Sequence, residues 1–219
     1  MCASYGLDPL STYGLEPLDE RETRNALERW QKERGGNAKI TGKKALNLNP
    51  LITADEDGHR ELELAWWWIH VGNEPARFSA FNARDDKLLS SRVWKGPFRQ
   101  HRALAPATWY VEKGKRFALP DGEGFGIASI TTTAYRDDAE MLTYALVTRD
   151  AVAQAATVHP RMPLVLPREL HDDWLDPTLV GDGDLLAEAV SASEELSRSM
   201  EIVGRGNQPA TDNGQLPAF

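Results

Sequence analysis

The chain has 219 residues, 41% of them hydrophobic and 26% charged, and a net charge of −8 at pH 7. These values are typical of a soluble globular protein with a core of normal size, and they favour one domain over residues 1–219. A single cysteine excludes an internal disulfide framework and fits a reducing compartment. Because the first twenty residues lack Lys and Arg and no apolar run is long enough to span a membrane, we expect a cytoplasmic protein without a secretory signal.

The elements predicted in chain order place strands in the middle of the chain and helices towards both ends. Residues 1–18 are broken by Gly and Pro, which predicts irregular structure. Helices are predicted over 19–34, with Asp19 as its cap, over 150–157, with Asp150 as its cap, and over 184–200. Strands are predicted over 61–71, 108–112, 116–119, 125–135, 141–148 and 164–166. This order indicates an α+β fold.

Positive charge is concentrated in one stretch of this acidic chain. Residues 77–116 contain ten basic and three acidic side chains, a net charge of +7 (10 − 3), which leaves −15 (−8 − 7) on the rest. Such asymmetry indicates contact with nucleic acid. The alternative is a solvated surface that acidic neighbours balance in the folded protein.

Cys2 directly follows the initiator Met1. If Met1 is removed, Cys2 presents an amine and a thiol on adjacent carbons. Such a 1,2-aminothiol forms an imine with an aldehyde and then closes a five-membered thiazolidine ring. An internal cysteine cannot do this, because its nitrogen is an amide. The alternative is a lone cysteine near a terminus that has no special role.

Other candidate side chains suit acid–base or anion chemistry. His159 lies in a segment that two prolines stiffen, and histidine is the usual proton carrier near neutral pH. Glu112 ends an apolar strand, where desolvation would suit its carboxylate to acid–base use. Asn82 offers a donor to a developing oxyanion, and Arg84 offers a partner for a phosphate. The alternatives are a turn His, a solvent-facing Glu, a turn Asn and a surface Arg.

Three consecutive tryptophans, Trp66, Trp67 and Trp68, suggest base stacking. Alternation along a strand would place Trp66 and Trp68 on one face and Trp67 on the other, with at least one face in the core. The sequence has no Gly-rich phosphate loop with a Lys, no dinucleotide fingerprint and no spaced Cys/His zinc set. We therefore expect no metal site.

Taken in order, these residues resemble the SOS-response-associated peptidase (SRAP) family, whose members process abasic sites and crosslink to DNA. The residues that carry the resemblance are Cys2, Asn47-Leu48-Asn49-Pro50 (an Asn-x-x-Pro turn), Trp68 (or Trp67, one place earlier), Asn82-Ala83-Arg84, Arg92, Pro106-Ala107 followed by Glu112, Thr148 and His159-x-Arg161-Met162-Pro163. A looser match runs from Val203 to Leu216, and we expect this tail to pack on the body.

The resemblance implies a fold, a reaction and a set of site residues. The fold is a central, strongly twisted, mostly antiparallel sheet or half-barrel flanked by helices. Met1 is removed with help from the active site, and Cys2 then crosslinks to an abasic site in single-stranded DNA. The catalytic set is Cys2, Asn82 (orienting the reacting oxygen or the Cys2 backbone), Glu112 (moving protons) and His159 (assisting sugar ring opening). The DNA-binding set is Pro50, Trp68, Arg84, Arg92, Thr148 and Arg161. No metal or organic cofactor is implied, and we expect a monomer.

Several positions depart from the family pattern. Ala3-Ser4 replaces Gly-Arg after Cys2, and Ile69–Gly72 replaces Gly-x-x-Pro. Glu74-Pro75 stands where aromatic wedge residues are expected, and Lys113 replaces an aromatic residue. This leaves open whether Trp66, Trp67 or Trp109 takes over stacking. It also leaves two alternatives: a cysteine hydrolase with Cys2 as nucleophile and His159 as base, or a non-catalytic single-strand binding module.

Overall fold

A computed structural model describes residues 2–8, 11–12, 14–43 and 45–205. Beyond Arg205, the predicted packing of the C-terminal tail lies outside the described residues. The described helices are α1 (Arg21–Arg34), α2 (Lys95–Gln100), α3 (Ala153–Ala156), α4 (His171–Leu175) and α5 (Gly183–Ser199). The described strands are β1 (Ser4–Gly6), β2 (Asn37–Lys39), β3 (Leu48–Ala54), β4 (Arg60–Trp66), β5 (His70–Val71), β6 (Glu74–Pro75), β7 (Asn82–Arg84), β8 (Arg102–Ala107), β9 (Trp109–Glu112), β10 (Lys115–Ala118), β11 (Phe125–Arg136), β12 (Ala139–Asp150), β13 (Arg161–Pro163), β14 (Val165–Leu166) and β15 (Glu201–Arg205).

The central sheet closes into a five-stranded barrel. Strand β12 pairs with β4, β4 with β3, β3 with β8, β8 with β11, and β11 returns to β12. The β12–β4 pairing is parallel and the other four are antiparallel. Closure leaves these strands no free edge on the ring. The predicted α+β, mostly antiparallel architecture is confirmed, and the expected half-barrel is in fact a complete ring.

A second sheet carries the start of the chain. Its order is β15-β10-β9-β1-β2, with every pair antiparallel. Strand β1 lies between β2 and β9, with Tyr5 opposite both Ala38 and Tyr110. The prediction of irregular structure over 1–18 is therefore wrong for residues 4–6. The partner strand β9 is about a hundred residues away, so no local pattern reveals this pairing.

The tryptophan cluster packs into the core instead of running through a strand. Strand β4 ends at Trp66, and Trp67 and Trp68 lie in the bend that follows, so the strand predicted over 61–71 is too long. All three rings are buried. Trp67 stacks on Tyr144 with ring centroids 6.0 Å apart and donates its indole N–H to the Phe81 carbonyl. The two faces on which the predicted alternation placed the three tryptophans are therefore both buried in the core.

Two barrel strands, β3 and β8, escape sequence prediction because each contains a proline. Pro50 lies in β3 opposite Leu64, and Pro106 lies in β8 opposite Gly126. Proline weakens a strand assignment because it cannot donate to the ladder. The Asn-x-x-Pro segment expected to form a turn instead leads into β3, with Asn49 fully buried.

The helices at the two ends match their predictions, although the cap predicted for the first does not. Helix α1 begins after Glu20, whose side chain makes no capping bond, so Asp19 is not the cap. Helix α5 is capped by Asp182, which accepts from the backbone N–H groups of Asp184 and Leu185. None of the helices in the described part of the chain has the length and apolar character that a membrane crossing requires.

The short helix predicted over 150–157 is only four residues long. Helix α3 begins after Val152 and has no side-chain cap. Asp150 instead ends β12 and accepts a hydrogen bond from Arg161. The sequence therefore predicts the helix but assigns the wrong role to Asp150.

Buried tyrosines make the fold sensitive to high pH. Burial raises the pKa of Tyr5, Tyr110 and Tyr144 above the ordinary value of 10.0, and the Tyr5 and Tyr144 hydroxyls lie 2.6 Å apart. A raised folded-state pKa gives stability that is full below pH 10.0 and is lost as the pH rises beyond it.

We expect these three phenols to ionise only as the protein unfolds in alkali. Tyrosinate absorbance should rise together with the loss of circular dichroism, and a Tyr5→Phe/Tyr144→Phe variant should lose two tyrosinates from that step. Complete phenol ionisation with native circular dichroism retained would contradict this account.

Candidate active site

Cys2 lies in the interior, where β1, β7 and β9 converge. It is 1% exposed, and its Sγ lies 3.4 Å from the Ser4 carbonyl oxygen. Its own carbonyl accepts a hydrogen bond of 2.7 Å from Nδ2 of Asn82. The first residue of the site is therefore fixed both by the strand that follows it and by a side chain from the barrel.

Asn82 reaches Cys2 because β7 adds to the barrel alongside β12. The pairing is parallel, with Asn82 opposite Leu146 and Arg84 opposite Thr148. While Nδ2 donates to Cys2, the buried Oδ1 has no hydrogen-bond partner among the described residues. A buried acceptor without a donor destabilises the fold. This oxygen is therefore suited to accept a hydrogen bond from a nearby amine or from a substrate hydroxyl.

Glu112 and His159 face each other next to Cys2. Glu112 ends β9 as predicted and is 4% exposed, so it is not the solvent-facing alternative. Its Oε1 lies 4.0 Å from Nδ1 of His159. The backbone N and O of Arg161 both lie 3.0 Å from the same Nδ1. The two groups are near enough for a proton acceptor and a proton donor to work on one substrate.

The thiol of Cys2 is neutral at physiological pH. Burial is the main cause that raises its pKa from 9.0 to about 12, and the negative charge of Glu112 adds to the effect. Backbone hydrogen bonds from the Ser4 and Val111 region and the amino terminus offset this only in part. A thiolate nucleophile is therefore available only where a base removes the proton, which the cysteine hydrolase would require of His159.

Two predicted phosphate ligands lie at the surface. The Arg84 side chain is 52% exposed and makes two hydrogen bonds, of 2.8 and 2.9 Å, to the carboxylate of Asp86. Arg92 is exposed in the turn before α2. Both guanidinium groups are accessible to a phosphate, although Arg84 must exchange its carboxylate partner for it.

Arg161 lies in a different environment. Its side chain is 9% exposed, and its guanidinium donates to Asp85, Asp150 and the Thr148 carbonyl. Two carboxylates already neutralise this cation, in contrast to the free guanidinium that a phosphate ligand needs. The carboxylates of Asp85 and Asp150 also act electrostatically on Arg84, so Arg161 and Arg84 are neighbours.

The other expected DNA ligands also lie inside the protein. Pro50, Trp68 and Thr148 are all buried. Trp68 donates its indole N–H to the Ala76 carbonyl, and the Thr148 hydroxyl donates to the Ala83 carbonyl. In the described structure these three residues are buried and present no surface to a base.

None of the candidate replacement tryptophans offers an exposed ring face. Trp66 and Trp67 are buried. Trp109 is half-buried, with Arg116 over its ring at 4.3 Å and Gly6 so close beneath that an added Cβ would lie 2.1 Å from the indole. An aromatic that the sequence analysis missed, Phe78, is 47% exposed and packs edge-to-face on Trp94.

Phe78 lines a surface cleft of about 720 Å³ together with Lys43, Arg77 and the β5–β6 hairpin. An exposed aromatic between basic side chains could have been noticed in the sequence, because Phe78 directly follows Arg77.

A cluster of possible metal ligands lies away from the site. Asp55, Asp57 and His59 have ligand atoms within 4.8 Å of one another. The Asp55 carboxylate already accepts from the backbone N–H groups of Asp57 and His59. The cluster is therefore explained by the turn between β3 and β4.

Burial of the Cys2 thiol predicts slow alkylation in the native protein. The thiolate is the reactive form, and a pKa of about 12 in place of 9.0 lowers its fraction about a thousandfold at about pH 8. We expect iodoacetamide to modify native protein at least about a hundredfold more slowly than urea-unfolded protein, as followed by intact mass. Since Cys2 is the only cysteine, equal rates in the two states would refute this prediction.

Comparison with known proteins supports the assignment made from the motifs. The family model for SOS response associated peptidase (SRAP) matches residues 17–203. No curated protein matches the chain.

Three solved structures share the fold. A protein from Bacteroides thetaiotaomicron is 18% identical, with a TM-score of 0.59 and 86% of each chain covered. A protein from Bordetella bronchiseptica is 15% identical, with a TM-score of 0.59, covering 87% of this chain and 92% of that one. A phage-related protein from Bordetella bronchiseptica is 18% identical, with a TM-score of 0.58 and 94% of each chain covered. Because the family model matches most of the length of the chain, the chain belongs to the SOS response associated peptidase (SRAP) family.

Proposed function

We propose that this protein captures abasic sites in single-stranded DNA through a thiazolidine crosslink to Cys2. Family membership links the chain to the SOS response to DNA damage. The family match begins at residue 17 and does not include Cys2. The proposed role of Cys2 as the crosslinking residue therefore rests on the contacts around it. The observation that carries it is the convergence on Cys2 of the Asn82 hydrogen bond and the Glu112–His159 pair.

The reaction starts with removal of Met1, which frees the α-amine of Cys2. We propose that the same site assists this hydrolysis, since Asn82 already holds the Cys2 carbonyl. The ring-opened deoxyribose of the abasic site then offers an aldehyde. The amine adds to the aldehyde carbon, and the resulting carbinolamine loses water to give an imine.

The thiol completes the crosslink. It adds to the imine carbon, and its proton passes to the nitrogen, so that one water is lost over the whole reaction. Glu112 is the nearest carboxylate to accept and return that proton, and His159 serves the opening of the sugar ring. Holding the aldehyde beside a tethered amine and thiol supplies much of the acceleration.

DNA is held, in this proposal, by the exposed basic surface that follows β7. Arg84 and Arg92 bind flanking phosphates, and the ring of Phe78 is suited to stack on a base beside Lys43 and Arg77. The buried residues Pro50, Trp68 and Thr148 shape the site from within.

The first test is a crosslinking assay with abasic single-stranded DNA. Wild-type protein lacking Met1 should give an adduct that survives a denaturing gel without reductant, and undamaged DNA should give none. Cys2→Ala keeps an amine but lacks the thiol, so its adduct should form only when borohydride traps the imine. Intact mass reports both Met1 removal and the loss of water.

Two results would argue against the crosslinking mechanism. A stable Cys2→Ala adduct in wild-type yield would remove the thiol from the reaction. DNA binding by protein that lacks Met1, with no adduct, would instead support the non-catalytic binding module.

The second test concerns the phosphate-binding surface. Arg84→Ala should weaken binding to undamaged single strands and lower the salt slope of log K by about 0.7, the value for one lost phosphate contact. Arg136→Ala is a matched control, because this exposed arginine pairs with Asp137 at the far end of the β11–β12 hairpin, about 30 Å away at roughly 3.3 Å per residue. An unchanged slope for Arg84→Ala would exclude it from the phosphate groove.

A further inference from the structure

Tyr110 carries a buried hydroxyl group that the fold does not use. The residue is fully buried in β9, and its ring stacks on Phe117 with centroids 5.0 Å apart. Its Oη has no hydrogen-bond partner among the described residues. Most buried hydroxyl groups in native proteins are hydrogen-bonded, because an unpaired one has lost its bonds to water without replacement. A phenylalanine would fill the same space without this loss, so packing alone does not account for a tyrosine here.

The unpaired hydroxyl belongs to the strand that binds the Cys2 thiol. Tyr110 and Glu112 are two residues apart, so both side chains lie on the buried face of β9. Between them, the backbone of Val111 hydrogen-bonds the sulfur of Cys2. Burial raises the pKa of the Tyr110 phenol, and the charges of Cys2 and Glu112 raise it further. Tyr110 is therefore a neighbour of the reactive sulfur and of the carboxylate, in the same desolvated interior.

The other two buried phenols show how hydroxyl groups of this interior are normally used. Tyr5 lies opposite Tyr110 in the β1–β9 ladder, but its hydroxyl lies 2.6 Å from that of Tyr144. The side chain of Asn49 also hydrogen-bonds Tyr144. These two phenols are satisfied within the protein and tie β1 to β12. Tyr110 differs from them because its O–H is left for an acceptor that the described residues do not supply.

A second unpaired polar atom adjoins Cys2. Oδ1 of Asn82 is buried and has no partner in the described part of the chain, while Nδ2 of the same side chain holds the Cys2 carbonyl. The site thus offers one unpaired donor, the Tyr110 O–H, and one unpaired acceptor. Addition of the Cys2 amine to an aldehyde gives a carbinolamine, whose new oxygen accepts a hydrogen bond and whose N–H donates one. The two unpaired groups complement this intermediate.

We propose that Tyr110 is a further catalytic residue of the crosslinking site, whose O–H donates a hydrogen bond to the aldehyde oxygen as the Cys2 amine attacks. Negative charge develops on that oxygen as the carbonyl bond opens, and a donor already in place stabilises it. The nitrogen then loses two protons to this oxygen, which leaves as water and gives the imine. Because its pKa is raised, the Tyr110 phenol keeps its own proton throughout. This inference rests on the proposed crosslinking function.

The kinetic test compares Tyr110→Phe with wild-type protein, both lacking Met1. The single-turnover crosslinking rate at saturating abasic DNA should fall about a hundredfold, as for the loss of one oxyanion donor, while Kd for undamaged single strands is unchanged. Glycolaldehyde has an aldehyde but no phosphate, and its rate of thiazolidine formation, followed by intact mass, should fall equally. A fall confined to DNA would assign Tyr110 to DNA binding and overturn the proposal.

The same experiment separates this inference from the proposed function. Equal crosslinking rates for wild-type protein and Tyr110→Phe would refute the catalytic role of Tyr110 and leave the crosslinking function standing. A wild-type protein that gives no adduct with abasic DNA would refute the crosslinking function and the inference with it.

A stability measurement tests the unpaired hydroxyl without DNA or aldehyde. Since the Tyr110 hydroxyl has no partner in the folded protein, Tyr110→Phe should keep or raise the urea midpoint of unfolding. Tyr144→Phe removes a bonded hydroxyl and should lower that midpoint. If Tyr110→Phe lowered the midpoint as much as Tyr144→Phe, a protein group would hold the Tyr110 hydroxyl, and the proposal would be overturned.

Ser197→Ala is the matched control. Ser197 lies in α5 and is 1% exposed, and its Oγ also lacks a partner among the described residues. Its replacement should likewise not lower the urea midpoint. Because α5 packs on β14 and α3, the crosslinking rate of this variant should equal that of wild-type protein. A comparable slowing in Ser197→Ala would show that loss of any buried hydroxyl impairs the reaction, which would overturn a specific role for Tyr110.

Discussion

The hydrogen bond from Asn82 to the Cys2 carbonyl ties the start of the chain to the barrel, and the site depends on it. It exists because β7 pairs in parallel with β12, while β1 inserts between β2 and β9. These pairings join residues that are far apart in sequence, so the first residues are held only when both sheets are complete. A terminus is usually poorly ordered unless the fold holds it. Here folding itself places the thiol of Cys2 in the interior.

Charge in this protein is arranged differently from what the sequence suggests. The excess of positive charge over residues 77–116 indicated a broad nucleic-acid surface. Arg102 from that stretch is buried and donates to backbone carbonyls, including those of Trp174 and Asp176. Arg84 is paired with Asp86. One basic side chain of the stretch is therefore buried and another is paired with a carboxylate, so the charge count alone overstates the accessible positive charge.

The motifs predicted which side chains lie together better than local patterns predicted the individual strands. Cys2, Asn82 and the Glu112–His159 pair were expected to act together, and they lie together, because an ordered set of motifs reports on tertiary structure. The prolines in β3 and β8 concealed two barrel strands, since proline is a negative signal for a strand. The environment of Arg161 could not be predicted, because its carboxylate partners are 76 and 11 residues away and nothing local marks them.

Burial of Cys2 also constrains the order of the proposed reaction. Burial raises the pKa of the Cys2 thiol in the chain that carries Met1, and we expect the amine that Met1 removal frees to attack first. The imine then supplies both an electrophilic carbon next to the thiol and a basic nitrogen to receive its proton. An ordinary cysteine hydrolase needs a thiolate at the outset, and the desolvated site with Glu112 close by opposes one. The same burial that makes Cys2 a weak hydrolase nucleophile therefore suits it to a ring closure that follows imine formation.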